Sequence, residues 1–363
     1  MKPCASMSLD LDNAWSYLKI HGDPGWERYP SYLDFFIPFF LDLLDRYKLT
    51  ITFFVVGRDA ADPRNAEALG MLAGRGHEVG NHSLSHEPWF HLYGRERLRR
   101  EVLEAEEHIH RATGARPAGF RGPGYSWSPR LFELLAQRGY RYDASLLPTS
   151  IGPLARRYYF RKSGLPREEM ARRSRLLGSF SDGLRPVKSF LWRTGNGESL
   201  LEIPVTTMPG LKLPFHLSYL LFLSRYSRRL ALAWLKTGLA LCRISGTQPS
   251  FIFHPLDLLD AGQVPELRFF PGMDLPGEEK LRMFDLLIGE IRRHYTLVGM
   301  GEHAGALLRG GRLKSLACSP SPGGDPGENH EENHDENHEE NHGGILGGNH
   351  VYRRRRAAEE PGS

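Results

Sequence analysis

The strongest constraint on this chain is a rhythm: short apolar runs alternate with stretches of helical period from residue 7 to residue 308. Residues 7–12 (MSLDLD) alternate apolar and polar side chains, and residues 50–56 (TITFFVV) form a near-continuous β-branched and aromatic run, as in a strand covered on both faces. Further strands are predicted at 77–81, 118–121 and 140–143. Helices are predicted over 31–48, kinked at Pro38, and over 65–75, 95–113 and 128–138. Such a succession builds parallel βαβ units. The periods lapse over 151–197. Strands then resume at 200–206, 250–254 and 296–299, with helices at 217–241, 278–294 and 302–308. Seven or eight strands fit an α/β fold of distorted (β/α)7–8 barrel type, and a composition that is 40% hydrophobic supplies its core.

The domain reading follows. Residues 1–314 are the barrel, with a basic and apolar insert over about 146–245, and residues 315–363 are a disordered tail. In the tail Pro and Gly give way to ENH repeats carrying His330, His334, His338 and His342, with too few apolar residues to bury. A net charge of +4 and the lack of a recognition motif speak against nucleic acid as a partner. Cys4, Cys242 and Cys318 are scattered and odd in number, and the first residues have no apolar run behind a basic start. The expected location is therefore cytoplasmic. The longest apolar stretch, 215–241, is interrupted by Arg225, Arg228, Arg229 and Lys236, against a transmembrane helix.

Five polar clusters lie at the C-terminal ends of predicted strands, where a barrel assembles its active site. Asp10 and Asp12 are two apart on one strand and so point to one side, about 7 Å from each other; two such carboxylates need a cation or a proton between them. His82 and His86 have the i, i+4 spacing that puts two imidazoles on one helical face, as in two-histidine metal sites. Arg121 opens the RGPGY loop and can grip a carboxylate. Asp143 and His254 end two further strands. Taken singly each cluster has a plain structural explanation: Asx caps, surface histidines, a capping arginine. It is their common position in the barrel that gives them weight.

In that order the clusters resemble the five motifs of the polysaccharide deacetylase (NodB-homology) family, also called carbohydrate esterase family four. SLDLD (8–12) is similar to the first motif in its D-x-D form, HSLSH (82–86) to the second, FRGPGY (120–125) to the third, YDAS (142–145) to the fourth, without the Trp common there, and FIFHP (251–255) to the fifth. The resemblance covers about residues 5–309. It implies a hydrolase that removes an N-acyl group from an amino sugar. Asp12, His82 and His86 would ligate a divalent metal, with zinc the expected ion. Asp10 would be the base and Arg121 its holder, and His254 the acid that protonates the departing amine. Asp143 would hold His254, or Asp257 would in its place. The backbone N–H of Tyr125 would meet the oxyanion. Trp89, Phe90, Tyr125 and Trp127 flank the motifs as candidate sugar-stacking residues.

Residues 151–245 hold 17 Lys or Arg against 5 Asp or Glu, beside the apolar run LKLPFHLSYLLFL. This pattern suggests a lipid-linked substrate and peripheral contact with the inner membrane face, against the plainer reading of a packed helix with solvated basic residues. Other readings stay open: a deformylase or another amide hydrolase of the same superfamily, or a non-catalytic glycan-binding barrel.

Overall fold

The computed structural model describes residues 2–89, 92–151, 183, 185–311 and 313–318. The ENH repeats, Phe90 and much of the insert lie outside the described residues.

Residues 1–321 form one compact unit. Its elements begin with β1 (Cys4–Leu11), α1 (Ala14–His21), α2 (Leu33–Tyr47), β2 (Thr52–Val55), α3 (Gly57–Ala61), α4 (Ala66–Gly74), β3 (Glu78–Asn81), α5 (Arg95–Thr113), β4 (Gly119–Phe120), α6 (Pro129–Gln137) and β5 (Tyr142–Asp143). Then come β6 (Phe190–Arg193), β7 (Ser199–Glu202), α7 (Leu217–Ser224), α8 (Arg228–Ser245), β8 (Ser250–Phe253), α9 (Gly277–His294), β9 (Thr296–Val298), α10 (Met300–Gly310) and β10 (Ser315–Ala317).

The strands make one sheet in the order β10-β6-β7-β5-β4-β3-β2-β1-β8, with β9 also paired to β1. Every pairing is parallel except β6 with β7. No ladder among the described residues closes the ring. Instead Thr206, just past β7, meets the first residue of β8: its N–H donates to Ser250 O (3.0 Å), and Ser250 N–H donates to Thr206 Oγ1 (2.8 Å). The barrel is thus distorted, with single bonds in place of one ladder. Apolar clusters pack its strands against the surrounding helices. Phe36, Phe40, Phe53 and Phe284 join in edge and stacked contacts in the main core, and Phe132, Trp192 and Trp127 stack in a second.

All eight predicted strands are present, and three expectations change. The helix predicted over 217–241 is two helices, because Ser227 caps a new start: its backbone is extended and its Oγ accepts from Leu230 N–H (3.4 Å). Residues 190–193, inside the presumed insert, are strand β6, paired antiparallel to β7. Ser315–Ala317, assigned to the tail, form β10 instead, because β6 offers them an edge to pair with.

Candidate metal and hydrolytic centre

β1 carries the first donors. Leu9 and Leu11 turn into the apolar core, so Ser8, Asp10 and Asp12 turn to the opposite side. The next donors come from the loop after β3. Here the expectation of a helical face is corrected: residues 82–87 are irregular, with Ser83 (φ 64°) and His86 (φ 53°) in the left-handed region. The loop is pinned from several sides. Ser83 N–H donates to Asn81 Oδ1 (2.9 Å), and the N–H groups of Leu84 and Ser85 donate to Glu101 Oε2 on α5 (3.0 and 2.9 Å). These bonds replace those that a helix would have supplied.

The loop nevertheless brings both imidazoles to the carboxylate. His86 Nε2 is 3.0 Å and His82 Nε2 3.4 Å from Asp12 Oδ1, and one donor atom from each of the three residues lies within 4.8 Å of the others. Among the described residues this is the one group with the makings of a metal site. The donor set itself favours a cation. His82 Nδ1 lies 2.6 Å from Arg121 O, an acceptor, so it carries the proton and leaves Nε2 with a lone pair. That lone pair faces a carboxylate oxygen, Asp12 Oδ1, which is buried and receives no hydrogen bond. A lone pair opposite an anion is unfavourable unless a positive charge stands between them. Two imidazoles and one carboxylate suit a divalent metal such as zinc and leave coordination positions open.

Asp10 stands beside this set. Its Oδ1 accepts from Arg121 Nη1 (2.6 Å); its Oδ2 lies 3.9 Å from His82 Nε2 and 4.0 Å from His254 Nε2. Arg121 is fully buried. It also donates to Ser8 Oγ (2.8 Å) and Ala144 O (3.0 Å), with its guanidinium over the Phe54 ring. His254 closes the opposite side. Burial works against its charge, but Asp257, Asp12 and Asp10 raise it to about 9, so it is protonated at neutral pH.

Asp143 does not hold His254. Its carboxylate accepts from Ser145 Oγ (2.8 Å) and Ser145 N–H (2.9 Å), and Ser145 Oγ in turn accepts from Gly122 N–H (2.8 Å). Asp143 therefore braces the loop that follows Arg121. Behind it sits Glu202 of β7, which burial and then Asp143 push well above the usual range, and which accepts from Trp192 Nε1 (3.0 Å) and Leu146 N–H (3.2 Å). The partner of His254 is Asp257: its Oδ2 accepts His254 N–H (3.0 Å) and lies 3.7 Å from Nδ1. Three residues apart on one tight turn, they meet because the chain reverses over Pro255–Asp257.

The aromatic candidates divide. Tyr125 faces the centre, since Asp10, after burial, is the next cause that raises its phenol, but its backbone N–H already donates to Gly122 O (3.0 Å). That corrects its expected oxyanion role: the tight turn at Gly124 (φ 59°) uses the donor internally. Trp127 is stacked on Phe132 and Trp192, and Trp89 packs against the same cluster; both are partly buried and rest on this second core. Sequence reasoning missed Glu101, Glu202 and the buried Asp59. Asp59 accepts from Asn13 Nδ2 (2.7 Å) and Trp15 Nε1 (2.8 Å), and burial raises it to about 6. Glu202 alone left a signal, an acid within the apolar run LLEIPV.

Such a centre, two imidazoles and a carboxylate beside an arginine-held aspartate and a histidine on a distorted α/β barrel, has the parts that metal-assisted hydrolysis needs. Comparisons with known proteins narrow this. Residues 23–142 match the polysaccharide deacetylase family. A peptidoglycan deacetylase of Helicobacter pylori is 33% identical over 125 residues, 34% of this chain and 40% of that protein. A chitooligosaccharide deacetylase of Sinorhizobium fredii is 34% identical over 105 residues, 29% of this chain and 47% of that protein. The chain thus spans less than half the length of either relative. A Mycobacterium smegmatis structure described as a polysaccharide deacetylase shares the fold, with a TM-score of 0.58 at 20% identity over 88% of this chain and 95% of its own. Over residues 23–142 the chain is thus similar to the polysaccharide deacetylase family, and its fold is shared with a solved structure of that description.

Proposed function

We propose that this protein is a metal-dependent hydrolase that removes an N-acyl group, acetyl first of all, from an amino sugar of a glycan. The observation that carries the reading is the setting of Asp10: one oxygen held by a buried arginine, the other between the Asp12–His82–His86 set and His254.

A divalent cation held by Asp12, His82 and His86, zinc by its donors, would supply Lewis acidity toward an acyl oxygen and an attacking water. The rest falls to side chains. Asp10 Oδ2 takes the proton of the attacking water while Arg121 keeps the carboxylate turned toward it. His254 gives its Nε2 proton to the departing amine, which is too basic to leave as an anion. Asp257 stabilises the charge on that imidazole, and Tyr125 walls the site. The two peptidoglycan and chitooligosaccharide relatives support an acetylated glycan as the substrate class.

The finer reading, a lipid-linked glycan reached from the cytoplasmic side, has one supporting observation. At the break between α7 and α8, Phe222, Tyr226 and Leu230 are exposed, and residues 211–245 contain no Asp or Glu. Arg225 pairs with Asp274 and Arg228 with Glu279, while Arg229, Lys236 and Arg243 of α8 supply a basic complement to an anionic surface. None of the described helices is long and apolar enough to cross a membrane. Salt-sensitive flotation with anionic vesicles tests this part.

The central test uses N-acetylated chitooligosaccharides and peptidoglycan fragments. Released acetate should equal new free amine, disappear with chelator and return with zinc. Asp10→Asn should retain the metal but lose roughly 10²–10⁴-fold in turnover. Chelator-insensitive turnover, or no acetate from any acylated amino sugar, would overturn the proposal.

A further inference from the structure

Outside the five motifs, two side chains converge on the turn that carries the acid. Asp257 uses Oδ2 on His254, and its Oδ1 accepts from Ser218 Oγ (2.7 Å) in the first turn of α7. From the other side comes Lys280 of α9, fully buried. Its Nζ donates to Leu256 O (2.7 Å) and Leu259 O (2.5 Å), the carbonyls that bracket Asp257 in sequence. Building on the hydrolase reading, we infer that Ser218 and Lys280 are positioning residues for His254, acting through the orientation of Asp257.

The geometry makes the need clear. At 3.7 Å the Asp257–His254 Nδ1 pair is slightly longer than a hydrogen bond, so a small rotation decides whether the carboxylate steadies the imidazolium. The terminal torsion of an aspartate is soft, and its rotamer wells are broad. Held at Oδ1 by Ser218, the carboxylate keeps Oδ2 on the imidazole. Released, it can turn. The backbone of the same turn is soft in another way, since the last carbonyls of a short helical turn have no helical partner. Lys280 supplies one for two of them. A buried ammonium is a costly way to fill a core position; burial pulls Lys280 down to about 8, offset in part by Asp257, Asp260 and Asp274. An apolar residue would fill the space, but it could neither hold those carbonyls nor place a cation near Asp257. The charged and titratable groups that act on His254 are Asp257 on its own turn and Asp10 and Asp12 from β1, with His216 at the start of α7 also within electrostatic reach.

The experiment uses the full chain, zinc-loaded, as Ser218→Ala, Ser218→Thr, Lys280→Met and Lys280→Arg. Each is assayed on an N-acetylated amino sugar, whose amine must be protonated to leave, and on 4-nitrophenyl acetate, whose phenolate leaves unaided. Ser218→Ala should lower amide kcat on the order of 10-fold, part of the 10²–10⁴ typical of a general acid. KM should hold, the amide-to-ester ratio should fall, and Ser218→Thr should restore it. Lys280→Met should do the same, with partial recovery in Lys280→Arg. Parallel loss on both substrates, or no loss in Ser218→Ala, would overturn the inference. If the parent protein cleaves no amide, the hydrolase reading fails separately. NMR titration of the His254 ring then decides: its pKa must drop in Ser218→Ala, and an unmoved value sinks the positioning role.

Discussion

Arg121 and Asp10 offer a test in which a second mutation should repair the first. The guanidinium is fully buried and meets Asp10 Oδ1 at 2.6 Å, while Asp10 is itself only 4% exposed. Two unit charges about 4 Å apart between centres attract by about 4 kcal/mol at an effective dielectric of 20. Removing one member of a buried pair leaves the other uncompensated and costs about 3–5 kcal/mol. Arg121→Met should therefore lose roughly that much stability, with some of the loss from the bonds to Ser8 and Ala144. In the Arg121→Met/Asp10→Asn double variant no anion is left stranded, so it should be more stable than Arg121→Met alone, although one residue further from the parent. Urea unfolding at neutral pH, with chelator in every sample so that metal affinity does not enter, gives the four free energies of the cycle. A double variant less stable than Arg121→Met would refute the reasoning, because it would mean that the Asp10 charge is not what Arg121 compensates.

Two further outcomes follow. Amide turnover should hold up to about pH 8 and decline as His254, raised to about 9, loses its proton; the stability contributed by that imidazolium is complete below its unfolded pKa of about 6.5 and disappears across the same rise. A rate that keeps climbing through pH 10 would remove His254 as the acid. Gly122→Ala places a Cβ 1.9 Å from Ser126 O, a backbone atom that cannot swing aside, so it should cost about 1–3 kcal/mol and most of the activity. Circular dichroism melts and the acetate assay check both.

The parts of this molecule legible in its sequence are those that obey a period. Residues 50–56 announce a covered strand, and the 95–113 helix appears with the same ends as α5. Asp10, Asp12, His82, His86, Arg121 and His254 were legible because each lies at or after the C-terminal end of a strand, and parallel strands deliver their ends to one rim. Contacts set by loops were hidden. The i, i+4 spacing of the histidines suggested a helix, yet left-handed residues and the Glu101 carboxylate bring them together. The choice between Asp143 and Asp257 turns on a reversal at Pro255 that no periodicity encodes. Strand β6 is four residues long, too short for alternation to stand out, and it is recognisable only from its pairing with β7.

Glu202 carries a consequence for anyone wishing to retarget this barrel. It sits on a strand that looks removable, in the stretch where the family resemblance fades, yet its carboxyl supports Asp143 and Leu146 from beneath. Loop grafts meant to change glycan preference should therefore be cut outside 190–202. A shorter replacement would pull away the floor on which the arginine loop rests, and with it the support of the proposed centre.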